Sequence, residues 1–326
     1  MSADIRTSSP DNKTETNAAA AVVFPKGHPR LQSSTSLMKK KRRPVDMLLY
    51  GLIYFFSIAI LAMVVYFIVY ILWQGLPMLT WDFLFTAPNP LEDTIGILPA
   101  IINTVYIILL SVLISVPLGV GGAIYLNEYA KNKILIRIIE FTTETLAGIP
   151  SIIFGVFGYI FFCTTLNLKV SLVSGALTLT LMVLPTIIRN MQEALKAVPK
   201  SYREGAAGLG ATKWHTIRTI LLPSAMPGLI TAIILAIGRI VGESAALILV
   251  SGGSAIYMPR GNIFEQFMGS GATLSVELYR YAYSRGLNDV GFGIAAVLLI
   301  IVLILNFTTR FISRRLEKKN KRKLMI

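Results

Sequence analysis

A chain of 326 residues that is 54% hydrophobic, only 15% charged and of mean hydropathy +0.65 is an integral membrane protein, not a soluble domain around one large core. Its formal charge of +14 does not point to nucleic acid. The basic residues gather at 39–43, at 131–137, around residues 200–218 and after Arg310, as the positive-inside rule places cytoplasmic segments. One cysteine, Cys163, excludes an internal disulfide, and His28 and His215 are too far apart in polar segments to suggest a metal site, so no cofactor is expected.

Residues 1–45 are rich in Ser, Thr, Asn, Ala and Pro and read as a disordered cytoplasmic tail ending in a basic cluster. The first apolar run follows that cluster and is too long for a cleavable signal. The cluster serves as a topology signal, and it also suits contact with anionic membrane lipid. Residues 47–72 form the first expected span, free of charge and closed by the interfacial Trp73. The stretch 77–94 carries Asp82, Glu92 and Asp93 without Lys or Arg and is expected outside.

The second expected span, 97–126, contains Asn103, Pro117 and the glycines Gly119, Gly121 and Gly122, which suit a helix facing protein. Asn103 either makes an interhelical hydrogen bond or lines a pathway. The third, 138–162, starts with Glu140 and Glu144, favourable near the positive end of its dipole, and Pro150 is expected to bend it. The fourth, 170–188, ends before Arg189, which is either a snorkelling anchor or a positive group on an anion route.

Residues 201–223, SYREGAAGLGATKWHTIRTILLP, interrupt the apolar pattern and read as two short helices. Ser201 and Glu204 have capping-box spacing, Gly208 and Gly210 are expected to stop the first helix, Thr212 to cap the second and Pro223 to end it. Trp214, Ile217, Ile220 and Leu221 recur at helical spacing. Glu204, Ala206, Gly210, Ile220, Leu222 and Pro223 resemble the EAA motif of type I ABC importer permeases, with Gly205 in place of the usual first alanine. The resemblance implies a coupling helix that docks on a cytoplasmic ATPase; without it, the segment reads as an ordinary hairpin capped by Glu204.

The fifth expected span, 225–250, holds Arg239 in mid-membrane with Glu243 four residues on, placing both on one helix face. A charge at that depth costs about 2.5–3.5 kcal/mol on insertion scales, so it faces a partner or a watery path. Two readings stay open: an ion pair that neutralises itself, or a guanidinium that binds an oxyanion with Glu243 holding it or moderating its charge. The segment up to Asp289 is expected to be an external loop with amphipathic pieces at 263–268 and 274–283, followed by a sixth span over 291–307 and a basic tail.

Four stretches together, LAGIPSIIFG, LPTIIRN, ALKAVPKSYREGAAGLGATKW and AIGRIVGESAAL, resemble the PstA-type permeases of bacterial phosphate importers from about residue 47 to 310. The resemblance implies that Arg239, Glu243 and Arg189 matter for phosphate movement and that Glu204 and Gly210 belong to the ATPase-docking motif. It also implies a second, homologous permease subunit, two ATPases and an extracytoplasmic phosphate-binding protein as partners.

The P-loop, G-x-S-x-G and H-E-x-x-H patterns are absent, so no nucleotide-binding or hydrolytic chemistry is expected of this chain. The expected architecture is all-α, with six transmembrane helices, both termini cytoplasmic, and a type I ABC importer transmembrane domain over 46–312 followed by a tail over 313–326. The expected function is phosphate import across the bacterial cytoplasmic membrane by alternating access. Sulfate or molybdate as substrate, a passive anion channel and a membrane enzyme are the alternatives; the channel would need no ATPase-docking motif, and no nucleophile–base pair supports the enzyme.

Overall fold

The computed structural model of the protein describes residues 44–89, 94–253 and 268–324. The expected tail over 1–43, its basic cluster, Glu92, Asp93 and most of the piece at 263–268 lie outside them. The chain divides after Ala62 into two units. What is described of the first is the beginning of α1 (Pro44–Gly75), where every residue from Met47 to Ala62 is exposed and uncharged. An apolar surface all round is what lipid selects.

In the second unit the end of α1 lies against a later helix. Tyr70 meets Phe292 edge-on at 5.6 Å, and Gly75 sits so close to Phe292 O that no side chain fits there. After α2 (Trp81–Phe85), three long helices pack together: α3 (Leu98–Ile124), α6 (Leu172–Ala197) and α9 (Leu222–Val241). α6 is their centre, with 61% of its apolar window buried against 33% for the spans containing α3 and α9. Its side chains Leu179, Met182, Val183 and Ile187 are fully enclosed. α6 also runs nine residues past its expected end at 188, because Met191 and Leu195 join a second apolar cluster with Ala123, Ile217 and Leu221 at the inner end. Arg189 therefore lies within a helix, not at its terminus.

Among the described residues five helices are long and apolar enough to cross a membrane, and one bent pair together has the length and composition of a sixth. That pair is the expected third span, which is broken rather than merely bent: α4 (Lys133–Ala147) meets α5 (Ser151–Gly158) at 102°. Pro150 cannot donate to the preceding turn. Gly155 beyond it lies directly on the backbone of Ala246, which fixes α5 against α10 (Ala245–Val250).

The expected fifth span differs at both ends. It begins at Lys213, inside the central motif, and runs unbroken to Val241. Pro223 does not end a helix there. A π-helical turn over Ile217–Leu221 joins α8 (Lys213–Thr216) to α9, and the wider turn absorbs the hydrogen bond the proline cannot make. At the other end the helix stops at Gly242, and α10 starts anew at Ala245.

The expected external loop is also corrected in part. Around α11 (Leu274–Leu278), residues Ala272, Thr273, Leu274, Ser275, Val276, Glu277 and Tyr281 are buried. Their polarity misleads because tertiary hydrogen bonds satisfy it: Leu274 N donates to Thr104 Oγ1 at 2.9 Å, and Ser275 Oγ donates to Glu243 O at 2.7 Å. Finally α12 (Asn288–Leu324) continues through the expected span and past residue 312 without a helix end.

α6 and α9 approach closely where Gly228 faces Ala194: a Cβ on Gly228 would lie 2.2 Å from that of Ala194. Gly228→Val must push the two helices apart, an overpacking cost of about 1–3 kcal/mol. The purified protein is expected to lose thermal stability, which a melting curve in detergent measures against a Gly121→Val control at an open position.

Candidate functional site: a helical hairpin joined to an arginine-bearing span

The inner hairpin starts with α7 (Lys200–Gly208). Pro199 takes the cap position with an extended backbone, so the helix begins one residue before Ser201 and the expected Ser201–Glu204 capping box does not form. Glu204 is exposed and free to meet a partner protein. The helix ends as expected. Gly210 adopts φ +76°, Gly210 N donates to Ala207 O and Ala211 N to Ala206 O, a paired closure that requires the left-handed residue. Thr212 caps α8 by accepting from His215 N at 3.4 Å.

The hairpin turns different faces in and out. Ala206 is buried, and Ile217 and Leu221 enter the inner apolar cluster. Ile220, Leu222 and Pro223 are half-buried, while Gly205 and Gly210 lie at open surface. Tyr202, Leu209 and Trp214 stand out, Leu209 at 90% exposure. Apolar groups so exposed on a polar hairpin are the kind of surface a partner covers.

An ion pair not anticipated from the sequence holds this hairpin in place. Arg203 donates from Nε and Nη2 to Glu128 Oε1 at 3.2 and 2.9 Å, from Nη1 to Val198 O and from Nη2 to Leu195 O, both at 3.0 Å. Glu128 sits in the turn that ends α3, 75 residues away, and its side chain is only 9% exposed. Arg203 thus ties α7 to the inner ends of α3 and α6.

The membrane charges are arranged differently from expectation. Arg239 and Glu243 do not pair, since the helix ends between them. Glu243 Oε1 instead accepts from Ala246 N at 3.0 Å and caps α10. Arg239 is half-buried and makes no hydrogen bond or ion pair among the described residues. Because Gly228 faces Ala194 on antiparallel helices, Arg239 lies about level with Val183, the middle of α6. Arg189 is then about 9 Å nearer the inner side. It forms ion pairs with Glu144 through Nη1 and with Glu193 through Nε, each at 3.3 Å. Asn103 is buried and donates to Ala272 O at 3.1 Å, a bond that packs α3 onto the α11 segment.

Glu243→Ala removes the α10 cap and is expected to cost about 1 kcal/mol, whereas Glu243→Gln keeps an accepting oxygen and stays near wild type. Chemical denaturation of the two variants side by side measures this.

Among the described residues no group of three or more His, Cys, Asp or Glu is placed to hold a metal ion. Residues 115–322 match the family described as binding-protein-dependent transport system inner membrane component. The chain is 33% identical over 291 residues to the probable ABC transporter permease protein YqgI of Bacillus subtilis, covering 85% of this chain and 98% of that protein. It is 32% identical over 272 residues to the phosphate transport system permease protein PstA of Haemophilus influenzae, covering 82% and 94%. It is 34% identical over 227 residues to PstA 1 of Mycobacterium tuberculosis, covering 68% and 72%. Among solved structures, a chain of a bacterial alginate ABC transporter in complex with a pentasaccharide-bound periplasmic protein superposes with a TM-score of 0.62, covering 84% of this chain and 96% of that one. A chain of the MetNI methionine ABC transporter gives 0.52, covering 68% and 94%. At 16% and 22% identity these two share the fold. With its broken third span, its inner hairpin and these matches, the chain belongs to the inner membrane component family of binding-protein-dependent transport systems.

Proposed function

We propose that this chain is the membrane permease subunit of an ATP-driven importer of inorganic phosphate, working by alternating access beside a second, homologous permease. The observation that carries this reading is the continuity of α8, the π-helical turn and α9. One helical rod leads from the exposed hairpin at Thr212 to Arg239 in mid-membrane, about 40 Å away. A push on the hairpin by a cytoplasmic ATPase moves the arginine, with no loop between them to absorb it.

The relatives named as phosphate permeases support phosphate as the substrate, and a guanidinium with no protein partner among the described residues fits a tetrahedral oxyanion in bidentate fashion. In the cycle, an external binding protein delivers phosphate to the outer mouth. Closure of the ATPases around nucleotide draws the hairpins together and opens the permease pair outward. Arg239 then gives the anion a transient stop, and hydrolysis returns the pair to the inward-facing state. Arg189 meets the anion lower down. This chain performs no bond chemistry; it supplies the path and the lever.

A cysteine at Thr212 tests the lever. The native Cys163 is buried, with Sγ near Val250 O, so a thiol probe reaches Thr212→Cys alone. Cross-linking from that position is expected to capture the ATPase subunit in the assembled complex and to halt uptake. Anion current without ATP and without cross-linking would instead identify a channel.

A further inference from the structure

The break at Gly148–Pro150 folds α4 back beside the inner half of α6 and brings two acidic side chains opposite two basic ones. Glu140 pairs with Lys196 and Glu144 with Arg189, each at 3.3 Å. α4 buries none of its own side chains fully, so these two rungs and a few partly buried apolar groups hold it to α6. Its attachment is light and ends at a hinge. The rungs line a charged cleft of about 390 Å³, which shares Thr143 with an apolar groove running up beside Leu146, Phe154 and Leu184.

Arg189 stands in that cleft with its guanidinium divided between two carboxylates, Glu144 from α4 and Glu193 from its own helix. The Glu193 contact is one turn away and stays with α6 whatever α4 does. The Glu144 contact depends on where α4 sits. A carboxylate presents the guanidinium with the same kind of oxygen edge as a tetrahedral oxyanion, so the two compete for the same donors. Both partners are about 60% exposed, and ion pairs this open are weak enough to be exchanged rather than locked.

We infer that Glu144 is a positioning residue for anion release. Its carboxylate occupies Arg189 when no substrate is present, yields it to the anion descending from Arg239, and on return displaces that anion to the cytoplasmic side. This rests on the proposed importer reading and adds a reason why a positive site near the exit does not retain its ligand. Glu140, on the same helix face, touches Lys196 and not Arg189; it serves only to hold α4.

The test uses the complete complex in vesicles, supplied with loaded binding protein outside and ATP inside, with increasing unlabelled phosphate on the cytoplasmic face. The quantity read is the internal phosphate concentration that halves the initial uptake rate of labelled phosphate. Without Glu144 the inward-facing site holds its anion longer. Glu144→Gln is expected to lower that concentration by about two- to fivefold, the range an exposed pair supplies. Glu144→Asp restores most of the wild-type value, and Glu140→Gln leaves it unchanged although it loosens the same helix. Equal values for Glu144→Gln and wild type, or equal effects of Glu144→Gln and Glu140→Gln, overturn the inference while the importer reading stands. If wild type carries sulfate and not phosphate, the substrate assignment falls, and the same comparison with sulfate on both sides decides the inference. If wild type carries neither, both fall.

Discussion

Arg239→Gln is expected to abolish ATP-driven phosphate uptake while the complex still assembles and still turns over ATP. The expectation follows from what the side chain does not do. It makes no ion pair or hydrogen bond among the described residues, so its removal orphans no partner among them. A charge in mid-membrane is also an expense to the folded protein, about 2.5–3.5 kcal/mol on insertion scales, which glutamine largely removes. A purely structural reading therefore predicts a neutral or slightly stabilised variant. The transport reading predicts loss of a charge-assisted contact to the anion, about 2 kcal/mol or more, hence about 30-fold or more in uptake rate. Initial rates of labelled phosphate uptake, with ATP hydrolysis and subunit stoichiometry followed in the same samples, separate the two.

Arg203→Ala is expected to uncouple the machine instead. It removes four hydrogen bonds at once and leaves the nearly buried Glu128 without its counter-charge, held only by Asn127 Nδ2, a cost of about 2–3 kcal/mol, less than for a fully buried pair. The side chain bonds the inner ends of α3 and α6, so the damage falls on how firmly α7 is seated against them. ATP turnover is expected to persist while uptake per ATP falls at least about tenfold. Arg203→Lys is not a conservative control: one ammonium cannot reach Glu128 and two separate carbonyls together. Glu128→Gln keeps an oxygen acceptor and both carbonyl bonds, and its loss of coupling is expected to be the smaller.

The spans were legible because hydropathy alone carries them. α1, α3 and the apolar part of α12 fall where uninterrupted apolar runs place them. The breaks were not, because the local signals at Gly148–Pro150 and at Gly242–Ser244 also occur in helices that merely bend. What decides there is the far side of the molecule: Gly155 seated on Ala246, and Ser275 bonded to Glu243 O. The same holds for the segment around α11. Thr273, Ser275 and Glu277 have the composition of an exposed loop, yet they lie inside because Ser275 bonds Glu243 O at the α9–α10 break, Thr273 bonds Ser275, and Glu277 pairs with Arg280.

For the site, the hairpin closure at Gly210 and the cap at Thr212 follow from nearest-neighbour chemistry and were readable. The capping box at Ser201 lost to Pro199, whose fixed backbone starts the helix one residue earlier. The four-residue spacing of Arg239 and Glu243 puts both on one face only inside an unbroken helix, and the helix ends between them. Arg203 with Glu128 lay beyond any local rule, since 75 residues separate them and neither position is distinctive by composition. The apolar pattern fades at Arg189, as it does at a helix end. The helix continues because its other face, through Met191 and Leu195, still has an apolar cluster to enter.

Uptake of labelled phosphate into vesicles holding the complete complex and its binding protein, with and without internal ATP, tests the central proposal most directly. Accumulation against the phosphate gradient only when ATP is present, displaced by unlabelled phosphate and not by sulfate, is the predicted result. Phosphate equilibrating without ATP, or ATP-driven accumulation of a different solute with phosphate left outside, would contradict it.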